Sequence, residues 1–128
     1  MAVSFQSDPD AGVVVATCTG ALGESDAKAG ASEFWEHPEW RERPVVWDFR
    51  AATFDVDPSA IRSLAKFILD RQPSEPPPCV AFVTGRDVDF GLSRMFQTYR
   101  EDPRTKFWTF RDFDEAVAWA RSLGSTRA

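Results

Sequence analysis

The stretch VVWDFRAATFDVDPSAIRSLAKF, Val45 to Phe67, decides the fold. With the preceding proline it opens on a short, nearly continuous apolar run, Pro44 to Phe49, the pattern of a strand covered on both faces in a parallel sheet. Acidic turn residues follow, and then a helical pattern. Asp57 has N-cap chemistry, and Pro58 suits the first helical position, where a missing N–H removes nothing the helix would have used. The helix is expected to bury Ile61, Leu64, Ala65 and Ile68, which recur at helical spacing. In many small α/β domains the loop beyond a buried strand, where a helix begins, holds ligands and phosphates, so the junction raises a functional question as well as a structural one.

Working outward, Val3 to Ser7 reads as a first strand, and Asp8 to Gly12 supplies turn chemistry before the β-branched run Val13 to Thr19, which makes an N-terminal hairpin. Ala27, Gly30, Ala31, Phe34 and Trp35 share one face of a helix that starts near Ser25 and is ended by Pro38. On the other side, the proline-rich segment Pro73 to Pro78 cannot continue a helix and is expected to run extended over the surface as a connector. Cys79 to Thr84 is the next buried strand. Val88, Gly91, Leu92, Met95 and Tyr99 mark another amphipathic helix, with Asp87 as its cap. Lys106 to Phe110 is the last strand. Asp112 and Glu115 form a capping-box pair before a final helix that Gly124 closes. The alternation implies one α/β domain over residues 1–128. Its architecture is a single wound unit with a mostly parallel five-stranded sheet, an N-terminal hairpin and about four helices.

A chain of 128 residues with 43% hydrophobic content can bury one core without disulfide or metal staples. No basic segment followed by an apolar run opens the sequence, and no apolar window approaches the roughly 18 residues of a membrane span. A cytoplasmic protein without membrane insertion is expected. The net charge of -5 opposes attraction to phosphate backbones, and the late cluster of arginines is interleaved with acids, so no nucleic-acid partner is expected. Cys18 and Cys79 lie in apolar, β-favouring runs and read as reduced core thiols. His37, the one histidine, sits between acids in EHPEW, so neither a Cys–His nucleophile nor a zinc site is expected.

The sequence lacks G-x-G-x-x-G after a strand, G-x-x-x-x-G-K-S/T and G-x-S-x-G, and no catalytic residue, cofactor or metal is assigned. Asp48, Asp55 and Asp57 gather near the end of the third strand, where acids more often cap helices and fix turns than divide acid and base roles. Asp48 does not fit a receiver phosphoacceptor, because the strand Val13 to Thr19 is followed by Gly20-Ala21-Leu22-Gly23 and no acidic pair. Phe67, Phe90, Met95 and Phe96 lie on or beside the helical stripes and are the candidates for an apolar ligand pocket of several hundred Å³, the range of ordinary ligand sites. Arg94 is assigned a salt-bridged structural role, with an anion contact as the alternative.

The order of elements, the stretch VVWDFRAATFDVDPSAIRSL, the segment FGLSRMFQTYRED and the ending TFRDFDEAVAWARSLG together resemble the STAS domain family, and within it the SpoIIAA-like branch grouped with Sec14-like lipid-binding domains. The resemblance implies a non-enzymatic, regulatory domain that acts by protein–protein contact, as anti-sigma-factor antagonists do. In those proteins a kinase phosphorylates a serine in an Asp-Ser-Ser-Gly-like turn, and the added charge breaks a complex. The turn here reads Asp57-Pro58-Ser59-Ala60, a departure in which Ser59 follows proline and lacks the glycine. On this reading Asp55, Asp57, Ser59 and Arg62 are the candidate partner-contact or switch residues. The Sec14-like kinship implies the rival function, a small-molecule or lipid-binding module. The expected partners are an unidentified protein, a small apolar ligand or a second copy of the chain.

Overall fold

The computed structural model describes residues 2–8, 12–36, 43–72, 74 and 76–125, so Pro38, His37 and Trp40 lie outside the described residues. The elements in chain order are β1 (Ala2–Asp8), β2 (Val13–Leu22), α1 (Glu24–Trp35), β3 (Val45–Phe54), α2 (Pro58–Arg71), β4 (Cys79–Thr84), α3 (Asp87–Tyr99), β5 (Lys106–Phe110) and α4 (Phe113–Ser125). The strands lie side by side in the same order, β1-β2-β3-β4-β5. β2, β3, β4 and β5 run parallel, and β1 pairs antiparallel with β2. The parallel part of the five-stranded sheet therefore has four strands, and β1 joins it through the antiparallel hairpin. The connection over residues 9–12 is too short for a parallel crossover, which needs a dozen or more residues.

Strand follows strand without reversal, and a right-handed crossover returns each helix to the same face. Hence α1, α2 and α3 share one face of the sheet. α4 follows the last strand, has no crossover to make and covers the other face, where Ala116 and Ala120 meet Val13, Val46, Cys79, Ala81 and Val83. On the crossover face Val14, Val45 and Val80 lie with Phe34 of α1, and Ile61, Leu64, Ala65 and Ile68 of α2 lie with Leu92 and Phe96 of α3. α2 packs on α1 and α3, while its backbone stands off from the strands.

β2 and β3 both run further than their apolar runs suggest. Thr17 pairs with Asp48 but Thr19 with Ala51, so β3 carries one extra residue and bulges. Asp48 Oδ1 accepts the Arg50 N–H at 3.1 Å, which satisfies a donor the bulge takes out of the ladder. Pairing resumes at Thr19–Ala51 and continues to Leu22–Phe54, with Gly20 at φ +83°, a conformation a side chain would strain. The stretch Arg50–Phe54 is thus strand, not loop.

Four further expectations are revised. α3 is capped by Arg86, and Asp87 instead pairs with Arg111. The buried row of α3 is Asp89, Leu92, Ser93 and Phe96, while Val88 and Tyr99 are 58% and 44% exposed. The helix is rolled by one position because Asp89 is drawn inward, where it takes both Arg86 Nε and Nη2, at 2.9 and 2.8 Å, and the Phe54 N–H at 3.3 Å. Pro76, Pro77 and Pro78 are buried rather than spread over the surface. Their carbonyls are used by β5: Pro77 O accepts from Thr105 Oγ1 at 2.8 Å, and Pro78 O from the Lys106 N–H at 3.0 Å. Pro73 and Glu75 fall outside the described residues. Finally, α4 continues through Gly124 to Ser125, and Asp112 Oδ1 accepts the Glu115 N–H at 3.0 Å, as its capping pattern requires.

Candidate functional site: an apolar cavity beneath the second crossover helix

A sheet wound in one direction has no topological switch point, so the strand ends do not splay into the crevice that holds ligands in doubly wound folds. The space in this molecule lies between its layers. Aromatic side chains rise from the sheet on the crossover face: Trp47 and Phe49 from β3, Phe82 from β4 and Phe107 from β5. Phe82 is the centre of the group, with ring centroids 4.9 Å from Phe49, 5.5 Å from Phe96 and 4.7 Å from Phe107. Phe82 meets Phe49 and Phe107 edge to face and stacks on Phe96, the preferred arrangements of aromatic pairs. These rings prop α2 away from the sheet and leave a cavity of about 130 Å³, walled by Ala27 and Ala31 of α1, Ile61 and Leu64 of α2, and Leu92 and Phe96 of α3. It is smaller than the several hundred Å³ expected from the sequence.

The wall is apolar except at a few points. Asp26 reaches it, but its carboxylate accepts the Gly23 N–H at 2.9 Å and serves the start of α1. Ser93 and Arg100 belong to α3 and its C-cap, and both line the cavity. Ser93 is 1% and Arg100 5% exposed, and neither Ser93 Oγ nor Arg100 Nη1 has a hydrogen-bond partner. The Arg100 guanidinium lies 5.3 Å from the Phe107 ring centroid, and its Nη2 reaches Gln72 Oε1 at 3.4 Å. Asp102 is the acid whose charge acts on it, but that carboxylate is engaged elsewhere. Arg104 donates to it from Nε, Nη2 and the backbone, and Gln72 Nε2 donates at 2.6 Å, which together hold its pKa well below the usual carboxylate range. Burial pulls the Arg100 guanidinium down to about 10, with Asp102 acting in the opposite direction, so at neutral pH it still carries its charge.

Of the four apolar residues singled out from the sequence, only Phe96 lines the cavity. Phe67 lies on the flank of α2 beneath Arg71 and Lys28, 4.0 and 5.1 Å away, and Phe90 lies beneath Arg111. Met95 packs against the α2–α3 cluster without reaching the cavity. Cations cover these rings because they sit at the stripe edges, where one side faces water.

The acids at the strand–helix junction do not converge. Asp48 lies on β3 well before its end and forms a two-pronged ion pair with Arg50, at 2.9 and 2.8 Å. Burial acts to raise its pKa, and the Arg50 hydrogen bonds and charge outweigh it, so the net shift is downward. Asp57 caps α2 through the Ser59 N–H at 3.0 Å and also accepts the Ser59 Oγ at 3.0 Å, bonds that lower its pKa. Asp55 is exposed, its N–H spent on Leu22 O at 2.8 Å, and Arg62 lies over the Tyr99 ring at 5.9 Å. Arg94 rests over Trp108 at 5.0 Å and forms no ion pair among the described residues. Cys18 and Cys79 are buried and form no disulfide, and no cluster of metal-ligating side chains occurs among the described residues. No described helix is long and apolar enough to cross a membrane.

Among solved structures the chain is similar to an uncharacterized protein of the DUF3478 family with a SpoIIAA-like fold from Shewanella loihica PV-4, whose crystal structure was determined at 2.25 Å. The TM-score is 0.59 and the identity 16%, over 93% of this chain and 92% of that one. The fold is therefore SpoIIAA-like, as the sequence resemblance implies. No family model and no curated protein matches the chain.

Proposed function

We propose that the protein is a non-enzymatic binding domain that takes a small apolar molecule into the cavity beneath α2. The cavity itself supports this reading, since a fold this small ordinarily closes its core to native density and leaves few voids larger than a water. An apolar cavity of comparable size, about 150 Å³, stays dry and admits benzene, so the volume suits one ring or a short alkyl chain. Toluene is the probe. A ligand that binds only the folded chain raises its melting temperature by mass action, and Trp35 and Trp47 on the cavity wall report occupancy by fluorescence. Toluene-saturated buffer is expected to raise the Tm and change the emission of the wild type, and to do neither in Ala31→Phe, whose ring fills the space. An unchanged wild type, or an equal response in both, overturns the reading.

Contact with a partner protein is the second function, supported by the exposed outer row of the same helix. Ser59 and Arg62 face solvent beside Asp57, while Ile61 and Leu64 line the cavity from the inner side. Occupancy beneath α2 and recognition above it would then share one element. Partner capture is expected to weaken when Asp57 and Ser59 are replaced by alanine with the fold intact, and unchanged capture overturns this second reading.

A further inference from the structure

The cavity ends in a charge that has no counter-ion of its own. Arg100 is buried, keeps Nη1 unpartnered, and feels the charge of Asp102, a carboxylate that Arg104 holds by both side chain and backbone. Its remaining hydrogen bond, to Gln72 Oε1, is long at 3.4 Å. A desolvated cation in this position is costly unless something pairs with it. Ser93 stands seven positions earlier on α3, hence on the same face of the helix, with its hydroxyl equally buried and equally without a partner. Two donors left open on a wall that is otherwise apolar apart from Asp26, whose carboxylate is engaged by the Gly23 N–H, are the complement of an anionic group carried on an apolar body.

We propose that Arg100, with Ser93, receives the carboxylate of a small amphipathic acid whose apolar part occupies the cavity beneath α2. The inference rests on the binding function proposed above and names its ligand class. A guanidinium offers a carboxylate two parallel N–H donors, and its free Nη1 is the atom that a bound oxygen would reach. The aromatic wall of Phe82, Phe96 and Phe107 takes the body of the ligand. At this volume the body is one ring or about six carbons. The cation–ring contact with Phe107 holds the guanidinium in place before any ligand arrives.

The test compares matched pairs that differ only in charge, benzoate with benzyl alcohol and hexanoate with hexanol, by calorimetric titration against the whole chain. The wild type is expected to prefer each acid by about tenfold to a hundredfold, the worth of charge-assisted hydrogen bonds in a dry site. Arg100→Met keeps the length and apolar contact of the side chain and is expected to abolish the preference while the alcohols still bind. Ser93→Ala is expected to reduce the preference several-fold, and Arg100→Lys to restore part of it. Binding of acid and alcohol with equal affinity, or a preference that survives in Arg100→Met, overturns the carboxylate assignment and leaves the apolar site standing. Absence of binding by all four probes overturns both.

Discussion

The two faces of the sheet are built from the same strands and solve the packing problem in opposite ways. Towards α4, β2, β3 and β4 present Val13, Val46, Cys79, Ala81 and Val83, all at most 1% exposed, and α4 answers with Ala116 and Ala120 at 0%. Small side chains on the sheet let one helix lie close, with Phe110, Phe113 and Trp119 packed around the contact. Towards α1, α2 and α3, the intervening positions of the same strands carry Trp47, Phe49 and Phe82. Large rings set the layers apart, and no single helix can follow so uneven a surface. The contrast teaches that a void in a small protein need not reflect poor packing. Here it follows from placing bulk on one side of a pleat and leaving the other side small.

Removing the central strut should break the contrast most severely. Phe82→Ala strips three ring contacts at once and is expected to cost about 3–5 kcal/mol by denaturant titration. A loss below about 1 kcal/mol would show that the rings do not hold the layers apart. Next comes the α4 face, where added volume has nowhere to go. Ala120→Leu is expected to cost about 1–3 kcal/mol. The equivalent addition on the open face should have the opposite sign: Ala31→Phe is expected to stabilise by about 0.5–2 kcal/mol as a filled cavity. Equal penalties at both sites would erase the distinction between the faces.

The smallest expected effect is chemical. Burial, helped by the negative charge of Asp48, pushes the Cys18 thiol up to about 12 from an ordinary value near 9, so it stays protonated across the physiological range. Iodoacetamide at pH 8 is therefore expected to leave Cys18 unmodified in the native protein and to label it on unfolding, as read by peptide mass. Native labelling would place a water-filled path beside a residue that lines the cavity.

The fold was legible in the sequence to the extent that local signals agreed with global ones. Cys79–Thr84 and Lys106–Phe110 have the bounds that their apolar runs predict, and Asp57-Pro58 starts α2 as its cap chemistry requires. The extensions of β2 and β3 were hidden because the bulge depends on a contact between Asp48 and the backbone of Arg50, and polar residues there read as loop. The cavity was hidden for a related reason. Its two open donors lie on the buried row of α3 with Asp89, and an apolar stripe sought through Val88, Met95 and Tyr99 passes one position to the side. The usable signal was polar: Asp89, Ser93 and Arg100 repeat at helical spacing around Leu92 and Phe96, where an inward-facing acid turns the helix. Phe96 was found because it belongs to both rows. The strand–helix junction draws attention by its acids, yet the carboxylates of Asp48 and Asp57 are committed to local bonds and Asp55 stands exposed.

The placement of α4 has a consequence for how the chain is made. Domains begin to organise while synthesis proceeds from the N-terminus at about 5–20 residues per second. α1, α2 and α3 are each in hand by the time the strand that follows them emerges, so the aromatic face can be roofed step by step. The valine and alanine face has no cover until residues 113–125 appear, after every strand has been completed. Until then the strands already formed, β2 to β4 among them, carry one bare apolar side. The last helix thus acts as the latch of the domain, and the nascent chain depends on its timely arrival, or on a chaperone, to avoid pairing that surface with another chain.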